Sequence, residues 1–315
     1  FFVWQAIVGF VYAACVRWVA WRVVGRTAGM RFDVDQLKRI WRFSAGMSGV
    51  AVSGLILMQL DKVILSSMIS LGDFGRYTLA AVVASGLYIV LTPVFNVIFP
   101  RMSALVVTGD TERLADFYRT GTRWLSAVLF PIAVTAAFFS QDLVQVWTGN
   151  PELATSVAPI VSILLIGTAM NGAMHFPYAL QLAYGMTRLP LTINVMLMAV
   201  LVPTIVLLTF QYGAIGGAAA WAILNFLYLL FGTWLTHRHL LKGIALPWLF
   251  GDVVMPLVLS FLIVGLGAEI VYGMGYMFYV RLLVGAGLAA LAFTEIVLVS
   301  PNLSRHVCNH VSQFV

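Results

Sequence analysis

An all-α, polytopic membrane bundle of about nine transmembrane helices is predicted from three observations on the 315 residues. Hydrophobic residues make up 61% and charged residues only 10%, with a mean hydropathy of +0.97. Soluble domains carry roughly a quarter charged residues, so this composition does not suit a water-facing surface. The apolar residues fall in long continuous runs, about 20 residues being needed to cross a bilayer as a helix. Strands of a membrane barrel would instead alternate over about ten residues.

In chain order the runs are 2–24, 44–69, 74–100, 122–141, 152–183, 187–209, 213–235, 249–268 and 278–299. Several contain Gly or Pro, which membrane helices tolerate when neighbours satisfy the freed backbone groups. The chain opens Phe1-Phe2-Val3-Trp4 inside an apolar run, with no basic region before it to suggest a signal peptide. A fragment or processed chain is the expectation. The two cysteines, Cys15 and Cys308, offer no disulfide framework and no metal spacing. His306, Cys308 and His310 are close together in the tail but make a poor metal site, and neither metal nor cofactor is expected.

The net charge of +6 could suggest nucleic acid, but the basic residues sit in short connections between apolar runs. Placing 22–43 inside and alternating from there collects Arg22, Arg26, Arg31, Lys38, Arg39, Arg42, Arg101, Arg113, Arg119, Arg123, Arg188, Arg238, Lys242 and Arg305 on one side. Arg76 and Arg281 fall on the other side, and Arg17 and Lys62 within spans. Such asymmetry marks the cytoplasmic face and puts the C-terminus inside. Outer connections are expected near 70–74, 142–151, 210–212 and 269–277. The longer inner linkers 25–43 and 101–121 carry Trp41, Phe43 and Phe117, with Trp124 just beyond, among basic residues. They read either as interfacial helices or as solvated loops with aromatic anchors.

Polar side chains inside the spans are the functional signal. Thr78, Ser85, Thr92 and Asn96 share one helical face, with Tyr88 beside it. Thr168, Asn171, His175 and Tyr178 form a second stripe, with Gln181 one step further; Trp221, Asn225 and Tyr228 form a third. Three such faces point to a shared cavity, the alternative being interhelical hydrogen bonds. Gln59, Asp61 and Lys62 interrupt an apolar helix, Asp61 roughly 25 Å up from the inner end at 1.5 Å per residue. Asp61 and Lys62 point about 100° apart, so they are not expected to form a self-contained ion pair. Charges at such depth usually face a bundle interior or water. The small-residue run Gly213–Ala220 reads as a packing face.

Gln59-Leu60-Asp61-Lys62 followed by Gly72-Asp73-Phe74-Gly75-Arg76-Tyr77 resembles the start of the second half of bacterial O-antigen-type polysaccharide flippases. These belong to the multidrug/oligosaccharidyl-lipid/polysaccharide exporter superfamily. Phe99-Pro100-Arg101, Trp147-Thr148-Gly149, Pro177-Tyr178-Ala179-Leu180-Gln181, Gly185-Met186-Thr187-Arg188 and Tyr212-Gly213-Ala214-Ile215-Gly216-Gly217-Ala218-Ala219 follow in order. The resemblance covers roughly residues 40–240. It implies the second bundle of a two-bundle flippase/MATE-like transporter in the bacterial inner membrane, moving undecaprenyl-diphosphate-linked oligosaccharide outward by alternating access.

On that reading 1–43 holds the last helix of the first bundle and a cytoplasmic amphipathic linker. Residues 44–240 form the six-helix second bundle, and 241–315 an extra helix pair and tail. The implied partners are the lipid-linked glycan, membrane lipid, the missing N-terminal bundle and a glycan polymerase, with no nucleic acid and no enzymatic activity. The resemblance makes Asp61 and Lys62 candidate cavity charges. Asn96, Asn171, His175, Asn225 and Tyr228 become candidate partners for glycan hydroxyls, with Gln59, Ser85, Tyr88, Thr92 and Tyr178 on the same faces. A cation-coupled drug exporter on the same fold and a multispan glycan polymerase or ligase are the alternatives.

Overall fold

The computed structural model describes residues 2–24, 34–300 and 303, and all the described secondary structure is helical. Arg26, Arg31 and Arg305, and the His306, Cys308, His310 group, lie outside the described residues, as do the side chains of Arg39, Arg42 and Phe43. Two compact units are present, residues 1–44 and 45–315. In the first, α1 (Phe2–Val24) is about 34 Å long at 1.5 Å per residue, enough to span a bilayer. Near its end the Arg22 guanidinium lies 4.1 Å over the Trp18 ring.

The second unit begins within α2 (Val34–Met68) and continues through α3 (Leu71–Ser85), α4 (Tyr88–Thr108), α5 (Thr111–Phe138), α6 (Ser140–Thr148), α7 (Pro151–Ala173) and α8 (His175–Ala183). After these come α9 (Arg188–Leu227), a π-helical turn at Tyr228–Gly232, α10 (Thr233–His239), a second π segment at Pro247–Val254, α11 (Met255–Gly273) and α12 (Phe278–Val299). Eight helical stretches are long and apolar enough to cross a membrane, one of them running from Arg188 to His239. A straight helix of that length would be about 78 Å long, far more than a bilayer. Gly213 breaks it with φ 58° and ψ −136°. A Cβ on Gly216 would overlap the Leu208 carbonyl, so residues eight apart touch and the chain reverses. The stretch therefore makes two passes, giving nine among the described residues.

Local sequence sets most boundaries. Gly109 (φ 72°) ends α4, and the Asp110 side chain accepts the Arg113 amide at 3.0 Å to start α5. Gly149 (φ 66°) ends α6, and Asn150 caps α7 ahead of Pro151. The expected linker 101–121 is thus no separate interfacial helix, because α4 and α5 extend into it and meet in one tight turn. Likewise 142–151 is mostly the short helix α6, not a loop.

The span α7–α8 lies at the centre, with α7 packed against α3, α5, α6 and α9. A Cβ on Gly167 would come within 3.0 Å of Trp221 and Ala222, so the absent side chain permits the α7–α9 approach. At the α7–α8 junction, Pro177 cannot donate to the Ala173 carbonyl, and the helix bends at Met174. Helices α11 and α12 pack on α5. Two sets of buried ions hold them there, Arg119 and Arg123 with Asp252 at one end and Arg281 with Asp142 at the other.

Candidate functional site

Between α2, the start of α4, the α7–α8 bend and both halves of α9 lies a cavity of about 490 Å³. Its polar wall comprises Tyr88, Asn171, His175, Tyr178, Asn194, Trp221, Asn225 and Tyr228. Asn171 and Asn225 each sit near the middle of their apolar runs, which places this part of the cavity at mid-height of the bundle.

Neutral groups link across this wall. The Tyr88 hydroxyl donates to Asn171 Oδ1 at 3.2 Å, and Asn171 Nδ2 donates to Asn225 Oδ1 at 2.8 Å. Asn225 Nδ2 donates to the Trp221 carbonyl at 2.9 Å, and Trp221 Nε1 to Thr168 Oγ1 at 3.3 Å. His175 Nδ1 lies 3.0 Å from the Gly172 carbonyl. A carbonyl can only accept, so the neutral ring carries its proton on Nδ1 and leaves Nε2 as an acceptor. Phe95 stacks on Tyr178 and meets His175 edge-on. The π-helical turn beginning at Tyr228 alters the helical phase of this wall, as π-bulges often do at functional sites.

A smaller space of about 80 Å³ adjoins it, lined in part by Asp61, Lys62, Ser85, Tyr88, Thr168 and Trp221. Asp61 is buried, and its Oδ2 accepts the Tyr77 hydroxyl at 2.6 Å. Its Oδ1 has no hydrogen bond among the described residues but lies 3.8 Å from Lys62 Nζ. Asp61 and Lys62 are expected not to form a self-contained ion pair, and in the structure they lie 3.8 Å apart while each bonds to another group. The Cβ vectors diverge, but the four-carbon lysine stem folds back, and Nζ also donates to the Met58 carbonyl at 3.3 Å.

Of the sequence-predicted residues, the structure brings Tyr88, Asn171, His175, Tyr178, Asn225 and Tyr228 to the larger space. Asp61, Lys62 and Ser85 reach the smaller one. Gln59, Thr92 and Asn96 line neither and are exposed. Sequence reasoning missed Asn194, whose Nδ2 donates to Ser53 Oγ at 2.9 Å on α2; its signal was a lone amide in an apolar run. It also missed Asp142 and Asp252, each fully buried and paired with arginine.

The residues of the Gly72–Tyr77 motif act locally. Ser70 caps α3 by accepting the Asp73 amide, and donates to Asp73 Oδ2 at 2.7 Å. That bond first, with Arg76 at 2.7 Å adding to it, holds the Asp73 carboxyl below its ordinary pKa against the opposing effect of desolvation. Tyr77 then fastens α3 to Asp61 on α2, so the two motifs that carry the resemblance meet in one contact.

Residues 1–157 match a family model described as polysaccharide biosynthesis protein. The chain is also 24% identical over 315 residues to the succinoglycan biosynthesis transport protein ExoT of Rhizobium meliloti (strain 1021). That match covers 95% of this chain and 60% of the relative, so the chain spans about three-fifths of the relative's length. With nine apolar passes among the described residues and a polar cavity inside the bundle, this is a multi-pass membrane protein whose residues 1–157 are similar to polysaccharide biosynthesis proteins.

Proposed function

We propose that this chain forms one bundle of a transporter that carries a lipid-linked oligosaccharide across the bacterial inner membrane by alternating access. The observation that carries this reading is the mid-height wall of Tyr88, Asn171, His175, Tyr178, Asn225 and Tyr228. Polar side chains are costly at that depth and usually mark a substrate path. Amides and hydroxyls both donate and accept, which suits a glycan whose hydroxyls do the same. Groups of this kind bind and orient, and we read the activity as transport without covalent chemistry. The exposed Gln59, Thr92 and Asn96 extend the polar surface toward a facing bundle that a longer protein would supply, and the carried lipid and a glycan polymerase would be its partners.

Deletion of the gene tests the reading. Lipid-linked repeat units should accumulate on the inner leaflet while surface glycan falls. In the full-length protein, Asn171→Ala or Asn225→Ala at normal membrane level should cut glycan export about thirtyfold, one charge-free hydrogen bond being worth about 1 kcal/mol and two being lost at each amide. Normal export in both variants, or altered drug susceptibility with intact glycan, would sink it.

A further inference from the structure

Arg119 and Arg123 lie one turn apart on α5 and converge on a single fully buried carboxylate. Arg119 grips Asp252 with two bonds, Nε to Oδ2 at 2.8 Å and Nη2 to Oδ1 at 3.1 Å, and Nη2 also lies 3.5 Å from the Pro247 carbonyl. Arg123 Nε donates to Asp252 Oδ1 at 2.6 Å. Guanidinium does not deprotonate in proteins, so the cluster of two arginines and one carboxylate keeps one excess positive charge. Among the described residues Arg123 has no hydrogen-bond partner besides Asp252, so its Nη groups remain open donors. The arginine side chains are 31% and 14% exposed, against 0% for Asp252, so the charge reaches the surface.

The cluster is set where the apolar runs of α5 and of the segment leading into α11 begin, near residues 122 and 249, which is a membrane boundary. No residue of α5 or α11 lines the mid-height cavity, so the open donors face away from the proposed substrate path. Beside Arg123, Trp124 is half-buried against Phe293 of α12 and offers an interfacial aromatic next to apolar surface. Basic pockets between spanning helices at this level suit lipid headgroups.

We propose that Arg123, held by Asp252 and seconded by Arg119, binds the phosphate of an anionic phospholipid in the leaflet at the basic end of the bundle. The planar fork of Arg123 would take two phosphate oxygens through its Nη groups, while Trp124 and Phe293 flank the first carbons of the chains. The inference rests on the chain crossing a membrane and not on what it transports.

Native mass spectrometry of the full-length protein in detergent, titrated with phosphatidylglycerol or phosphatidylcholine, tests it without any transport assay. Phosphatidylglycerol should bind about tenfold more tightly than phosphatidylcholine, whose choline cation offsets its phosphate and is repelled by the cluster's excess positive charge. Arg123→Gln should remove that preference, Arg123→Lys should keep part of it, and Arg76→Gln, at the opposite end, should leave it unchanged. Equal binding of the two lipids by the parent protein would overturn the proposal even if Arg123→Gln fails to fold. Full preference in Arg123→Gln would overturn it too. Displacement of phosphatidylglycerol by inorganic pyrophosphate at matching concentration would reassign the cluster to a soluble or substrate diphosphate and would equally count against the lipid.

Discussion

The Tyr77–Asp61 contact shows how a single residue can look functional and be structural. Asp61 is buried, and Tyr77 supplies the only hydrogen bond it accepts among the described residues. Removing the donor leaves a charge in low dielectric, which costs about 1–3 kcal/mol. Tyr77→Phe should therefore lower thermal stability in detergent clearly, and much less in an Asp61→Asn background. Equal losses in both backgrounds would show that the two residues are not coupled. Lys62 differs, being partly exposed and, among the described residues, bound only to Asp61 and a backbone carbonyl.

At the scale of elements, two joints decide whether the helices find their places. Gly213 occupies a backbone conformation that other residues reach only at a cost of about 1–3 kcal/mol. Gly213→Ala should reduce the yield of monodisperse protein and lower its melting temperature, whereas Gly9→Ala, in open space on α1, should change neither. The second joint is the contact of α5 with the π segment leading into α11, at Asp252. Asp252→Ala would leave two guanidiniums facing each other, and breaking a buried ion pair typically costs about 3–5 kcal/mol. The variant should expose α11 and α12 to limited proteolysis before the rest of the unit. Proteolysis identical to that of the parent would show that packing alone holds the pair.

For the whole molecule, the arrangement of charge yields a topology that can be measured. The Arg101 guanidinium lies over Phe117, Phe117 meets Phe176 at a tilt, and Tyr118 meets His237 edge-on and Trp248 at a tilt, so the basic connections of the second unit converge at one end. We propose from the positive-inside tendency that this end faces the cytoplasm. With Cys15 and Cys308 replaced, Glu152→Cys beyond α6 should react with an impermeant maleimide in intact cells. Glu112→Cys at the α4–α5 turn should react only after permeabilisation. The reverse pattern would invert the proposed orientation.

The sequence by itself determined that this is a helical membrane protein of about nine passes, while their limits moved where α4 and α5 extend into the expected linker 101–121. The count follows from the length of the apolar runs and the bias of the basic residues, both readable along the chain. The sequence also placed Asn171, His175, Tyr178, Asn225 and Tyr228 on helical faces, because a period of 3.6 residues is legible without a fold. What only the tertiary structure decided is which faces meet. Asn194 joins the cavity because the chain reverses at Gly213, and Asp252 meets Arg119 and Arg123 across more than a hundred residues. Thr92 and Asn96 share a stripe with Ser85, yet the Gly86–Leu87 junction and the exposed face of α4 leave them outside. Long-range contacts depend on helix reversal, glycine-permitted approach and lysine reach, none of which leaves a periodic mark in the sequence.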